Sequence, residues 1–253
     1  MDAQRFQEAC RLITQDRARS GIGTLGEKTL HAVIKHYLEP DERCHEIRVG
    51  GYIADICREG EICEIQTRQL YRLKKKLEAF LLERSVTVVY PIASGKRLIW
   101  IDEETGETTR PRRSPKRRTP HYALPELYGI RDLLSHPRLS VRLLLIQMDE
   151  YRRLNGWSQD KKRGSWCSDR IPVELSGELL LSSPEDYLQL IPPGLPPQFT
   201  SRDFARELGM TPDASRTGLN VLLSLGAVTR IGRQGNAFVY EVCALSPPDE
   251  DLF

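Results

Sequence analysis

The chain lacks any apolar run that could cross a bilayer. Its longer runs, such as Leu143-Leu144-Leu145-Ile146, fall far short of the ~20 residues a spanning helix needs. No secretory signal opens it either, because Met1 to Arg19 mixes acids, bases and single apolar residues. A cytoplasmic location with no membrane partner is therefore expected. Six cysteines are present, at 10, 44, 57, 63, 167 and 243, but none form a CxxC pair and the spacing does not suit zinc. They read as buried, reduced thiols. There is no internal repeat, and little net charge: 37 Lys+Arg against 35 Asp+Glu leave +2. What is present is 40% hydrophobic residues, enough for a core and too many for wholesale disorder.

The balanced total hides local bias. Asp102, Glu103, Glu104 and Glu107 are followed by Arg110, Arg112, Arg113, Lys116, Arg117 and Arg118 with no acid between 108 and 119. Pro111, Pro115 and Pro120 bar helix or central strand there. The stretch reads as an extended basic loop able to touch a phosphate backbone, or as a plain solvated loop. Lys161-Lys162-Arg163 is a second basic patch, flanked by Trp157 and Trp166, which can stack on bases or pack structurally. Ile191 to Pro197, with four prolines, reads as a stiff connector and places a boundary between residues 1–190 and 191–253.

In the N-terminal part, Thr24 to Glu27 has capping-box spacing, and Leu30, Val33, Ile34 and Leu38 continue it as a helix over about 26–38, stopped by Pro40. Three strands follow, at 45–49, 52–57 and 62–66, with turns at Gly50-Gly51 and around Glu59-Gly60. Leu70, Leu73, Leu77 and Phe80-Leu81 then form the apolar stripe of a helix over 67–83. Val86 to Pro91 and Lys96 to Ile101 are β-rich runs.

The second hairpin's register can be worked out. A two-residue turn and a four-residue loop both set residue i opposite 119 minus i, so Asp55 faces Glu64, with Gln66 on the same face. Cys57 and Cys63 fall on opposite faces. Two carboxylates about 5 Å apart repel by roughly 3 kcal/mol at an effective dielectric of 20. A shared proton, a basic neighbour or a divalent cation offsets this in a buried site, and a hard cation with oxygen ligands suits it best. The alternative is an exposed pair splayed into water.

This order of helix, three-stranded meander, helix and strand resembles the PD-(D/E)xK nuclease superfamily over roughly residues 24–101. The family's acids map onto Glu27, Asp55 and Glu64-Ile65-Gln66. The resemblance implies an α/β fold with a mixed sheet and a restriction endonuclease-like αβββαβ core, extended to about residue 150. It also implies phosphodiester hydrolysis on DNA, double-stranded or branched. Asp55, Glu64 and the Ile65 carbonyl would hold Mg²⁺ or Mn²⁺, with Glu27 joining from the helix or serving only as its capping carboxylate. His31, one turn on, would share that face or pack in the core. The chain departs from the family at Gln66, where the usual residue is lysine. Gln orients a water but brings no charge. Restriction enzymes with Gln there exist, and the change also fits a scaffold that binds without cutting.

Further on, Pro125 starts a helix with Leu127, Ile130, Leu133 and Leu134, and Leu139 to Gln147 reads as a strand. The C-terminal part has a short helix after Ser183, a helix over 202–208 capped by Thr200-Ser201 and ended by Gly209, and another from Pro212 to Gly226. Gly218 inside that helix implies close packing. Strands at 227–231 and 237–242 flank a hairpin tip at 232–236, and a short acidic tail ends the chain. Residues 198–243 resemble a winged helix-turn-helix, a small α+β domain. By that resemblance Ser215, Arg216 and Asn220 face DNA, and Arg233, Gln234 and Asn236 are wing contacts. Arg112, Arg113, Lys116, Arg117 and Arg118 complete the expected nucleic-acid surface. Such modules also serve as dimerisation or packing elements. The expected function is thus a metal-dependent DNA endonuclease, with a homodimer left open, or a non-catalytic DNA-binding protein on the same scaffold.

Overall fold

The computed structural model describes residues 1–20, 29–102, 105–156 and 164–243. The fold is mixed α/β, with a seven-stranded sheet, helices, and a separate three-stranded sheet. It divides into two units. The first comprises Met1–Thr67, Val89–Thr119 and Leu143–Leu179. The second comprises Arg68–Val88, Pro120–Arg142 and the chain from Leu180 onward. No helix among the described residues is long and apolar enough to cross a membrane.

The first unit opens with helices α1 (Ala3–Ser20) and α2 (Thr29–Leu38). Strands β1 (His45–Val49), β2 (Tyr52–Arg58) and β3 (Glu61–Ile65) form the expected meander. The sheet also holds β4 (Ser85–Ile101), the short β5 (Arg112–Arg113), β6 (Leu139–Gly156) and β7 (Gly164–Leu181), in the order β1-β2-β3-β4-β6-β7 with β5 paired to β4; residues 85–88, 139–142 and 180–181 of these strands group with the second unit. β4 is continuous where the sequence suggests two strands, and β6 runs well past Gln147. The helices lie on the sheet through Phe6, Ile13, Leu30, Val33 and Ile34, all buried against Ile56, Ile65, Val89, Leu144, Ile146 and Met148. Each such side chain contributes about 1.5–3 kcal/mol by leaving water. Phe6 and Tyr37 meet edge to face at 5.3 Å, which clamps α1 to α2.

The second unit holds α3 (Lys74–Phe80) after a 3-10 turn over Leu70–Leu73, and α4 (Leu124–Leu127) continuing as 3-10 to Leu133. It ends in β8 (Gln198–Thr200), α5 (Ser201–Leu208), α6 (Pro212–Ser224), β9 (Val228–Gln234) and β10 (Ala237–Val242). The small sheet has the order β8-β10-β9. Thr200 caps α5 in a reciprocal box with Asp203, and Gly209 ends it at φ +61°. The division does not follow the chain at Ile191–Pro197, since residues 68–88 and 120–142 group with the C-terminal elements. Gly218 accounts for part of this. A Cβ there would lie 3.0 Å from the Leu124 Cβ, so its bare backbone lets α4 against α6. The hairpin tip is shorter than expected: β9 runs through Gln234, leaving only Gly235-Asn236 as the turn.

Candidate functional site

The β2–β3 hairpin turns at Glu59-Gly60, both at positive φ (+50° and +89°), the two-residue geometry that matches strand twist. Its pairs are Ile56↔Cys63, Cys57↔Ile62 and Arg58↔Glu61, which is the register deduced from the sequence. One step beyond, the ladder changes character. The Asp55 N–H donates to Oε1 of Glu64 (3.2 Å), and the Ile65 N–H donates to Oδ2 of Asp55 (2.7 Å). Each acid thus accepts from the other's strand where a backbone carbonyl would ordinarily do so. Glu64 is 1% exposed, whereas Asp55 is only half-buried. On the other side of β2, Ile47↔Ala54 and His45↔Ile56 pair. Between them Glu46, opposite Asp55 in this register, takes a left-handed backbone at φ +53°. β2 therefore departs from regular pairing on both sides at Asp55.

α2 supplies the surroundings. His31 Nε2 lies 3.3 Å from Oδ2 of Asp55. Lys35, buried on the same helix, binds Glu46 at 2.6 Å. Thr29, also buried, donates its hydroxyl to the Asp169 carboxylate of β7. Gln66 is half-buried, and its N–H donates to the Val89 carbonyl of β4 at 3.0 Å. Glu27 lies outside the described residues, as do Lys161, Lys162, Arg163 and Trp157.

Among the described residues no group of three or more His, Cys, Asp or Glu converges as a metal cage. Mg²⁺ does not require one: it keeps several waters and is commonly bound by one or two carboxylates plus substrate phosphate. Asp55 and Glu64 are hard oxygen donors on adjacent strands, each with one oxygen position fixed by a backbone N–H. That donor set fits a divalent cation.

A second charged centre was not legible in the sequence. Glu150 on β6 is 1% exposed and receives Lys96 of β4 (2.8 Å), Arg152 (2.9 Å) and Arg170 of β7 (3.2 Å). Burial alone would raise its carboxyl. The hydrogen bonds and charges of Lys96, Arg152 and Arg170 outweigh that and hold it at about 2, below the usual 4.5. The available signal was alternation, since Leu144, Ile146 and Met148 put Glu150 on the buried side of the strand.

The expected nucleic-acid residues divide. Arg112 and Arg113 lie exposed on β5, in register with Leu98 and Arg97 of β4, so part of the basic loop is an edge strand. Lys116, Arg117 and Arg118 are exposed. Ser215 does not face solvent: it is fully buried, and its hydroxyl donates to the Ser201 carbonyl at 2.6 Å, tying α6 to α5. Arg216 is exposed but paired with Asp213 one turn back. Asn220 is half-buried and accepts from Arg230 at 3.1 Å. Arg233, Gln234 and Asn236 are all exposed at the hairpin end.

Comparison with known proteins places this chain in a family. Residues 28–182 match the model described as Domain of unknown function (DUF8091), and the chain belongs to that family. An uncharacterized protein of Treponema pallidum (strain Nichols) is similar, at 28% identity over 220 residues, covering 87% of this chain and 86% of the relative. No solved structure matches.

Proposed function

We propose that this member of the DUF8091 family is a metal-dependent DNA endonuclease built on a restriction endonuclease-like core, with residues 198–243 acting as a winged-helix targeting module. The observation that carries the reading is the pair of acids, Asp55 and Glu64, fixed by each other's strands at the point where β2 leaves regular pairing. Asp55, Glu64 and the Ile65 carbonyl would hold Mg²⁺ or Mn²⁺, and Glu27 would join them. Such a cation would supply an acidified water and neutralise charge on the attacked phosphate. His31 holds the Asp55 carboxylate in place, and Gln66 orients the attacking water without adding charge. The basic loop of Arg112, Arg113, Lys116, Arg117 and Arg118 and the hairpin residues Arg233, Gln234 and Asn236 engage the backbone. On α6 the exposed Arg216 and the half-buried Asn220 are the remaining candidates.

A second reading has specific support. Gln66 lacks the charge that lysine would bring, and the backbone bonds give both acids a structural task. A DNA-binding protein on a non-catalytic scaffold fits these two facts. The experiment is cleavage of plasmid, single-stranded and branched DNA with Mg²⁺ or Mn²⁺, repeated with Asp55→Asn and Glu64→Gln. Cutting by the wild type that both variants lose, with DNA binding retained, supports the enzyme. Binding without cutting on every substrate and metal establishes the second reading.

A further inference from the structure

We propose that Arg230, Phe238 and Arg233, on one face of the β9–β10 hairpin, form a platform for single-stranded nucleic acid. It takes an unpaired base on the ring and guanidinium planes and the flanking phosphates on the two positive charges. The proposal rests on the reading above only for the class of ligand, and goes beyond it in naming the strandedness and two further residues.

A β-bulge creates the face. Phe238 pairs with Arg233 and Val239 with Gly232, but Tyr240 then pairs with Arg230, leaving Ile231 as the extra residue. Without the bulge, residues 230 and 233 would point to opposite sides of the hairpin. With it, both guanidinium carbons lie against the Phe238 ring, at 4.4 and 4.5 Å from its centroid. Arg230 also lies 5.8 Å from the Tyr240 ring and donates to Asn220, which fixes its position. Phe238 remains 36% exposed, and Thr229 through Gln234 are exposed along β9.

Charge distinguishes this face from the neighbouring helices. Arg206 is neutralised by Asp203 and Arg216 by Asp213. Among the described residues neither Arg230 nor Arg233 has a carboxylate within ion-pair distance. Residues 228–242 contain a single acid, Glu241, and the strand alternation puts it on the side opposite Phe238 and Tyr240. Two like charges on one exposed ring repel, and one would suffice for a cation–π contact, so stability alone does not call for both. An anion between them removes the repulsion.

The aromatic ring decides the form of nucleic acid. A duplex offers phosphates but hides the faces of its bases, while a single strand offers both. The α6 surface, where a major-groove reader would sit, has Ser215 buried and Arg216 already paired. That leaves the hairpin as the stronger binding surface.

The test is fluorescence anisotropy of the full chain in EDTA, so that nothing is cut, with a labelled single-stranded DNA oligonucleotide and with its duplex. The wild type is expected to prefer the single strand. F238L should weaken single-strand binding about 5- to 160-fold, the effect of losing one base–aromatic stack, with little change on duplex. R230Q with R233Q should weaken binding further and flatten its salt dependence. F238W keeps a larger ring and should bind at least as well as wild type, with a wild-type melting curve; it decides the matter if F238L does not fold. F238L binding like the wild type, F238W losing binding while folded, or the wild type binding no single strand would each overturn the platform. Cleavage is scored separately: single-strand binding without Mg²⁺-dependent cutting sinks the endonuclease and leaves the platform standing, and cutting that survives F238L with unchanged binding does the reverse.

Discussion

Replacing Glu64 separates what the acid does for the fold from what it does for chemistry. Its Oε1 is the acceptor for the Asp55 N–H in a site only 1% exposed. Glu64→Ala removes that acceptor. An orphaned buried N–H costs about 1–3 kcal/mol, and the one deleted methylene adds about 0.8 kcal/mol. Glu64→Gln keeps an acceptor oxygen on nearly the same frame and removes the negative charge. At about 5 Å and an effective dielectric of 20, the repulsion it relieves is roughly 3 kcal/mol. His31, 3.3 Å from Asp55, offsets part of that when protonated. Both variants relieve that repulsion, so in EDTA the expected melting order is Glu64→Gln at or above wild type, with Glu64→Ala below Glu64→Gln by about 2–4 kcal/mol. Added Mg²⁺ should raise only the wild type, by about 2.7 kcal/mol at a concentration 100 times Kd. An Ala variant as stable as the Gln variant would refute the backbone-bridging account. A Mg²⁺ shift no larger in wild type than in Glu64→Gln would refute the cation, and the hydrolytic proposal with it.

Glu150→Ala should cost about 3–5 kcal/mol in urea unfolding, because Lys96, Arg152 and Arg170 are left around a buried void. Its carboxyl lies near 2 in the fold against an ordinary 4.5, so the stabilisation of about 3 kcal/mol is fully present above pH 4.5 and lost as pH falls towards 2. Glu150→Gln should lack that acid-dependent loss; an identical pH profile in the variant would count against the three-cation centre. Gly218→Ala gains about 1 kcal/mol of helix propensity but must push Leu124 away from 3.0 Å, an overpacking of about 1–3 kcal/mol; a raised melting temperature would mean the α4–α6 packing yields freely. Neutralising Arg112, Arg113, Lys116 and Arg117 together should weaken DNA binding and reduce the salt slope by about 0.9 for each phosphate no longer neutralised, and an unchanged slope would remove the loop from the interface.

Local signals read well where the chain's own turns dictate geometry. Gly60 after Glu59 forces the tight hairpin, so the 119-minus-i register followed from letters alone. The α5 cap and the Gly209 stop did too, because each rests on one residue's hydrogen bond or positive φ. Where partners are distant, the letters fell short. Helix α1 hides its stripe of Phe6, Ala9 and Ile13 among charges, and only α2 and the sheet give that stripe something to bury against. Ser215 has the right helical position to face outward, but the carbonyl of Ser201 draws it in. Glu150 sits on the buried side of a strand, which hydrophobic patterning assigns to apolar residues; only the cations around it, two of them on neighbouring strands, make it tolerable there. The grouping of 68–88 and 120–142 with the C-terminal elements is a tertiary fact, signalled in sequence by nothing more than an out-of-place glycine at 218.

The two readings of the hairpin acids differ in what the fold requires. Accepting one backbone N–H asks only for an oxygen, and Asn or Gln supplies one without putting two negative charges on adjacent strands. A fold selected for stability alone would relieve that repulsion by a single amide substitution. Here the neutral residue stands instead at Gln66, in the position where the resemblance expects a cation, while both acids remain. Paired acids in one place are also characteristic of sites that bind or react. On the proposed reading that charge serves a ligand cation, and the Mg²⁺ shift in melting decides between it and a purely structural bridge.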